Sequence, residues 1–162
     1  MSEPNQHVVT ALVQNEAGTI NRLVSLFRRR GFSLASFNAG DCEEDGFSRL
    51  TLLVNGNNAD VAQCLKQLDK LVDVVECEDL SPQTSVTKEL ALVRVEPKQG
   101  EESAIAQTAS EFLARIVAKT EKVTILEISE DPAAIERLVA ALRPYNVTEV
   151  VRTGIVAIKL ES

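Results

Sequence analysis

Asn15-Glu16-Ala17-Gly18 is the segment of this sequence whose residue types and spacing suit a ligand. The apolar run Val8–Val13 leads into it, and an amphipathic stretch begins at Thr19 and stops at Gly31. The turn therefore falls where a strand hands over to a helix. The first N–H groups of a helix have no partner within it. Those donors, with the positive end of the helix dipole, suit a small carboxylate, and Asn15 adds a polar side chain. The chemistry is recognition, not bond making. Turn geometry alone also asks for Asn and Gly here, so spacing by itself does not separate a site from a plain connection.

Other chemistry-bearing residues do not assemble into a catalytic set. His7 is the one histidine, beside a polar N-terminus, and reads as exposed. With three cysteines, Cys42, Cys64 and Cys77, at no metal-binding spacing, neither a zinc site nor a disulfide framework is expected. The cysteines read as reduced thiols of a cytoplasmic protein. Glu43-Glu44-Asp45 reads as a solvated hairpin tip, since nothing fixes its carboxylates for a cation. There is no nucleophile elbow, P-loop or dinucleotide glycine pattern. No metal, cofactor or catalytic residue is expected.

The formal charge of −7 opposes a role on nucleic acid or an anionic membrane. Arg28-Arg29-Arg30, the longest basic run, sits before Gly31 and reads as a helix end that suits the dipole and a glycine cap. The N-terminus M-S-E-P-N-Q-H is polar and reads as no signal peptide. No apolar run approaches membrane-spanning length.

These residues need elements to hold them. His7–Val13 reads as a buried strand. Thr19–Arg30 reads as a helix with Ile20, Leu23, Val24 and Phe27 as its inward stripe. Leu34–Cys42 and Phe47–Val54 read as strands joined by the Glu43–Gly46 hairpin turn. Ala59–Leu71 reads as a helix, with Val61, Leu65, Leu68 and Leu71 on one face, and Val72–Leu80 as a fourth strand. That order, βαββαβ, is ferredoxin-like. Ser81–Ser85, with Pro82, reads as a linker. Strand Glu89–Val95, helix Glu101–Leu113 (Ile105, Phe112 and Leu113 inward), strands Arg115–Lys119 and Val123–Ile128, a helix capped by Asp131-Pro132, and strands Val147–Arg152 and Ile155–Leu160 around Gly154 repeat the logic. The fold class is thus α+β, with two ferredoxin-like domains over 1–80 and 86–162. Two domains this small, each with open sheet edges, favour a dimer.

The run N-E-x-G-x-I-x-R followed by L-F-x-x-R-G-F-x-L, from Asn15 to Leu34, resembles the opening of an ACT domain. More closely, it resembles the small regulatory subunit of acetolactate (acetohydroxyacid) synthase. L-D-K-L-V-D-V, K-E-L-A-L-V-R-V and V-x-R-T-G-I-V-A, in that order, extend the resemblance over nearly the whole chain. Asn55-Gly56-Asn57-Asn58 is similar to the end of a thiamine-diphosphate motif, but the Gly-Asp-Gly that should precede it is missing, and a turn with a helix cap explains it.

The resemblance implies a non-catalytic subunit. Its partner is a separate thiamine-diphosphate catalytic (large) subunit, which it activates and subjects to feedback inhibition by branched-chain amino acids, chiefly valine. It implies a homodimer with the effector at the interface of paired N-terminal domains. The implied effector-binding residues are Asn15, Glu16, Ala17, Gly18, Thr19 and Ile20, facing Ser33 and Leu34 of the other copy, with Ile20, Leu34 and Val13 suiting an aliphatic side chain. At Ser33 the chain departs from the family, which usually carries Asn. Loss of one such contact costs about 0.5–3 kcal/mol, depending on the charge of its partner. A stand-alone amino-acid-binding module would share the Asn15–Gly18 turn without needing the second domain. An acylphosphatase-like hydrolase would need a phosphate-cradling loop with a positioned arginine, and none is evident around Arg22.

Overall fold

The computed structural model describes residues 5–80 and 85–161. The elements, in order, are β1 (Gln6–Gln14), α1 (Thr19–Arg30), β2 (Ser33–Asp41), β3 (Phe47–Asn55), α2 (Asn58–Leu68), β4 (Val74–Asp79), β5 (Ser85–Val95), α3 (Glu102–Glu111), β6 (Arg115–Lys119), β7 (Thr124–Glu130), α4 (Pro132–Leu142) and β8 (Val147–Lys159), with a 3-10 turn at Arg143–Tyr145. Two four-stranded sheets result, ordered β2-β3-β1-β4 and β6-β7-β5-β8. Each is the βαββαβ arrangement the sequence predicts, and the class is α+β. Most of the expected linker, residues 81–84, lies outside the described residues; Ser85 already opens β5.

The chain packs as two compact units, one holding the described residues up to Thr87 and those from Ile155 onward, the other Lys88–Gly154. In the first, β1 turns Val9, Ala11 and Val13 inward, β3 turns Leu50, Leu52 and Val54, and α1 and α2 cover them with Leu23, Leu26, Phe27, Val61, Cys64 and Leu68. The two-residue period of the strands puts these side chains on one face. In the second, Ala91, Val93, Val95, Leu126 and Ile128 meet Ile105, Ala109, Ile135, Leu138 and Leu142. Both cores are almost wholly aliphatic, as the scarcity of aromatics requires.

Local signals account for the helix ends. Asn57 caps α2 in a reciprocal box with Asp60, and Asp131 accepts from Ala134 N–H ahead of Pro132. Gly31, at φ 70°, ends α1. Its N–H bonds Arg28 O, Phe32 N–H bonds Phe27 O, and the Phe27 and Phe32 rings meet edge to face at 6.3 Å. Those two bonds and the apolar clasp form a Schellman ending.

Several expectations need correction. The inward stripe of α1 is Thr19, Leu23, Leu26 and Phe27, while Ile20 and Val24 are 43% and 49% exposed. Ile20–Val24 and Leu26 flank the same Leu23–Phe27 centre on opposite sides, and helical periodicity does not choose between two apolar flanks. Helix α3 ends at Glu111, so Leu113 is not inward; it lies at φ 58° and is 78% exposed. Val147–Arg152 and Ile155–Leu160 are not two strands but parts of one, β8, which runs through Gly154 at φ 81°. Its second half belongs with the first unit: Ala157 N–H lies 3.4 Å from Thr51 Oγ1, and Lys159 Nζ lies 2.9 Å from Glu78 Oε2. His7 is not exposed. Its side chain is 12% accessible, with Nδ1 2.9 Å from Asp79 Oδ2.

Candidate functional site

Strand β1 ends at Gln14, whose N–H donates to Asp73 O at 2.8 Å, and the next N–H, of Asn15, donates to Gly46 O at 2.8 Å. These bonds fix the base of the turn. Thr19 N–H then closes it on Glu16 O at 3.2 Å, and Arg22 N–H reaches Gly18 O at 2.9 Å. Gly18 stands at the N-cap of α1 in the left-handed region, φ 89°, which glycine adopts without steric cost. No side chain caps this helix. The following N–H groups, of Ile20 and Asn21, thus point out of the helix end with no capping acceptor; α2 and α4 are capped, while α3, like α1, has no capping side chain. Asn15, Glu16, Ala17, Gly18 and Ile20 are exposed, and Thr19 is buried beneath them.

Ser33 and Leu34 are elsewhere. Ser33 pairs with Asn55 and Asn55 with Gln6, whereas the turn follows the opposite end of the sheet, where Gln14 pairs with Phe47. Eight residue steps of about 3.3 Å put the two ends roughly 26 Å apart along the strands. The structure therefore gathers Asn15–Ile20 in one place and does not bring Ser33 and Leu34 to them within one chain. Ser33 Oγ accepts from Asn55 Nδ2 at 3.0 Å, and Asn55 Oδ1 accepts from Gln6 Nε2 at 2.9 Å. Val13 is 1% exposed and belongs to the core, so it offers nothing to a ligand.

Sequence reasoning missed Arg22 and Asp73 as a pair. Arg22 Nε lies 2.5 Å from Asp73 Oδ2. The Asp73 side chain is 4% exposed and that of Arg22 is 45% exposed. The hydrogen bond to Asp73 raises the Arg22 pKa further above its ordinary value. The guanidinium lies over the turn: a Cβ on Gly18 would stand 3.1 Å from Arg22 Nη1. The R of N-E-x-G-x-I-x-R was visible, but its partner lies 51 positions away, and nothing local in D-K-L-V-D-V marks Asp73.

The remaining candidates are quiet. Glu43 is held down at about 2 by Arg49 at an exposed hairpin tip. Burial pushes the Cys64 thiol up to about 12 and also raises Cys77, which suppresses the reactive thiolate. No cluster of three metal-ligating side chains occurs among the described residues, and no helix among them is long and apolar enough to cross a membrane.

Comparison with known proteins finds matches along nearly the whole chain. Residues 9–76 match the family described as AHAS small subunit-like ACT domain, and residues 88–161 match that described as small subunit of acetolactate synthase. The probable acetolactate synthase small subunit of Methanothermobacter thermautotrophicus is 35% identical over 94% of this chain and 91% of its own. The acetolactate synthase small subunit of Mycolicibacterium smegmatis is 33% identical over 94% and 89%. The crystal structure of the Thermotoga maritima acetolactate synthase small subunit superimposes with a TM-score of 0.89 at 33% identity, over 97% of this chain and 98% of that one. With the uncapped turn on a βαββαβ sheet in the same frame, this chain belongs to the acetolactate synthase small-subunit family, with an ACT domain in its N-terminal half.

Proposed function

We propose that this protein is the non-catalytic regulatory subunit of a cytoplasmic acetolactate synthase. It binds the thiamine-diphosphate-dependent catalytic subunit, raises its activity and imposes feedback inhibition by a branched-chain amino acid, valine foremost. The sensing domain falls within residues 1–80, and a second domain falls within 86–162.

One observation carries the effector site: the N-terminus of α1 has no capping side chain, beside exposed Ile20. A carboxylate accepts from the Ile20 and Asn21 N–H groups, and Ile20 meets the aliphatic part. Ser33 and Leu34 come from a second copy, because their own lie at the far end of the sheet. A two-fold dimer satisfies this demand, since its patches are exchanged reciprocally. Edge strand β2 and the exposed Ile20–Val24 side of α1 are apt surfaces for it. Inhibition follows if the effector binds one state of the complex better than the other.

The experiment is reconstitution with the acetolactate synthase catalytic subunit from the same cell. Acetolactate formation should rise on adding this protein and fall on adding valine. Absence of both binding and stimulation would overturn the reading. If amino-acid binding survived alone, the protein would be a stand-alone sensing module.

A further inference from the structure

A basic groove runs between α1 and α2 on the flank of α1 away from Ile20 and Val24. It consists of two adjoining hollows that share Arg29 and Leu71. Arg22, Arg28, Arg29, Arg30 and Lys70 line it, and none of its lining residues is acidic. Arg22 is occupied by Asp73. The side chains of the other four make no ion pair or hydrogen bond among the described residues. Elsewhere Arg49, Lys88, Arg115, Arg152 and Lys159 each hold a carboxylate, and cations such as Lys66, Lys119 and Lys122 stand singly on the surface, so what marks the groove is five cations gathered with no acidic residue among them. In a chain with 24 acidic and 17 basic residues, such a lining stands apart. The helix dipole favours cations at helix ends, but it does not require the groove to be cleared of carboxylates.

We propose that this groove docks an acidic segment of the catalytic subunit, an assignment that rests on the function proposed above. The hollows are shallow and open, and a single exposed ion pair in such a place contributes little. An extended segment carrying several carboxylates meets the cations in series along the roughly 18 Å of α1, at about 1.5 Å per residue. It also removes water from the half-buried Leu71. The net charge of −7 turns nucleic acid away. One end of the groove is Gly18 and Arg22, the residues that shape the effector turn, so partner and effector meet at one helix end.

The test is binding of the full-length protein to the catalytic subunit from 50 to 300 mM salt. It compares the wild type with Arg29→Glu/Arg30→Glu/Lys70→Glu and with the milder Arg29→Gln/Arg30→Gln/Lys70→Gln, with circular dichroism and mass measured for each. The wild-type affinity should fall with salt. The charge-reversed variant should bind at least about tenfold more weakly at low salt, with a flattened salt dependence, and the neutral variant should lie between. Valine-induced thermal stabilisation should persist in both. Folded variants that bind with wild-type affinity and salt dependence would overturn the proposal. So would loss of self-association in place of partner binding, which would assign the groove to a second copy. A wild type that fails to bind the catalytic subunit at all would instead sink the function itself.

Discussion

Arg22 reaches from the first turn of α1 to the buried carboxylate of Asp73, whose own carbonyl receives the last N–H of β1. The pair ties the Asn15–Gly18 turn to the segment entering β4. Its two ends are unequal, because Asp73 is buried and Arg22 is half exposed. Removing Arg22 strands a carboxylate away from water, whereas neutralising Asp73 leaves a guanidinium that water can serve. Arg22→Met should lower the urea midpoint clearly more than Asp73→Asn does. Equal costs would show that the asymmetry of burial does not govern the pair.

Gly18→Asp should abolish feedback by the amino acid while leaving activation of the catalytic subunit. The new side chain is strained at φ 89° and meets Arg22 Nη1 at 3.1 Å, where it competes with Asp73 for the guanidinium. Its carboxylate also repels the carboxylate of the effector, by about 1–4 kcal/mol at 4 Å in surface-like dielectric. Activity titrations with valine on the reconstituted enzyme check this. A folded, dimeric variant with ordinary inhibition would move the effector site away from this turn.

The elements and the turn were legible because the signals are local. The Thr19–Arg30 periodicity, the glycines at both ends of α1, and Asp131-Pro132 each specify a boundary from a few neighbouring residues. What was not legible depends on which side of a helix meets the sheet, or on partners distant in sequence. Ile20 and Leu26 are equally apolar, so periodicity alone does not fix the rotation of α1. His7 found Asp79, and Arg22 found Asp73, across tens of residues. Gly154 looked like a break between two strands, yet β8 continues through it with a left-handed residue. The separation of Ser33 from Gly18 is a matter of register, which becomes visible only once β1, β2 and β3 are paired.

Cys64 should resist alkylation in the native state. It is fully buried, and its pKa is raised to about 12 by desolvation. Between pH 7 and 9 the thiolate fraction stays small, and reagent access requires opening of the core. Burial also raises Cys77, whereas Cys42 sits part-exposed at the hairpin. Iodoacetamide at pH 8 followed by peptide mass mapping should label Cys42 first, Cys77 more slowly, and Cys64 only in denaturant. Rapid native labelling of Cys64 would contradict the packing of the first core.

Leu113→Gly should stabilise the protein. Leu113 terminates α3 at φ 58°, with Ala114 N–H on Ala109 O at 2.8 Å and its own N–H on Ser110 O at 3.2 Å. This is the ending that Gly31 provides for α1, but it is built on a residue with a side chain. A left-handed non-glycine residue costs about 1–2 kcal/mol. At 78% exposure the leucine side chain recovers little of that by burial. Glycine removes the clash but adds freedom to the unfolded chain, an opposing effect of about 0.4–1 kcal/mol. The net gain is therefore about 0–1.6 kcal/mol, centred on roughly 0.8, read as a higher urea midpoint at unchanged slope. Leu113→Ala keeps the left-handed strain and should give no such gain. If the alanine variant were stabilised as much as the glycine one, the strain would not lie in the backbone.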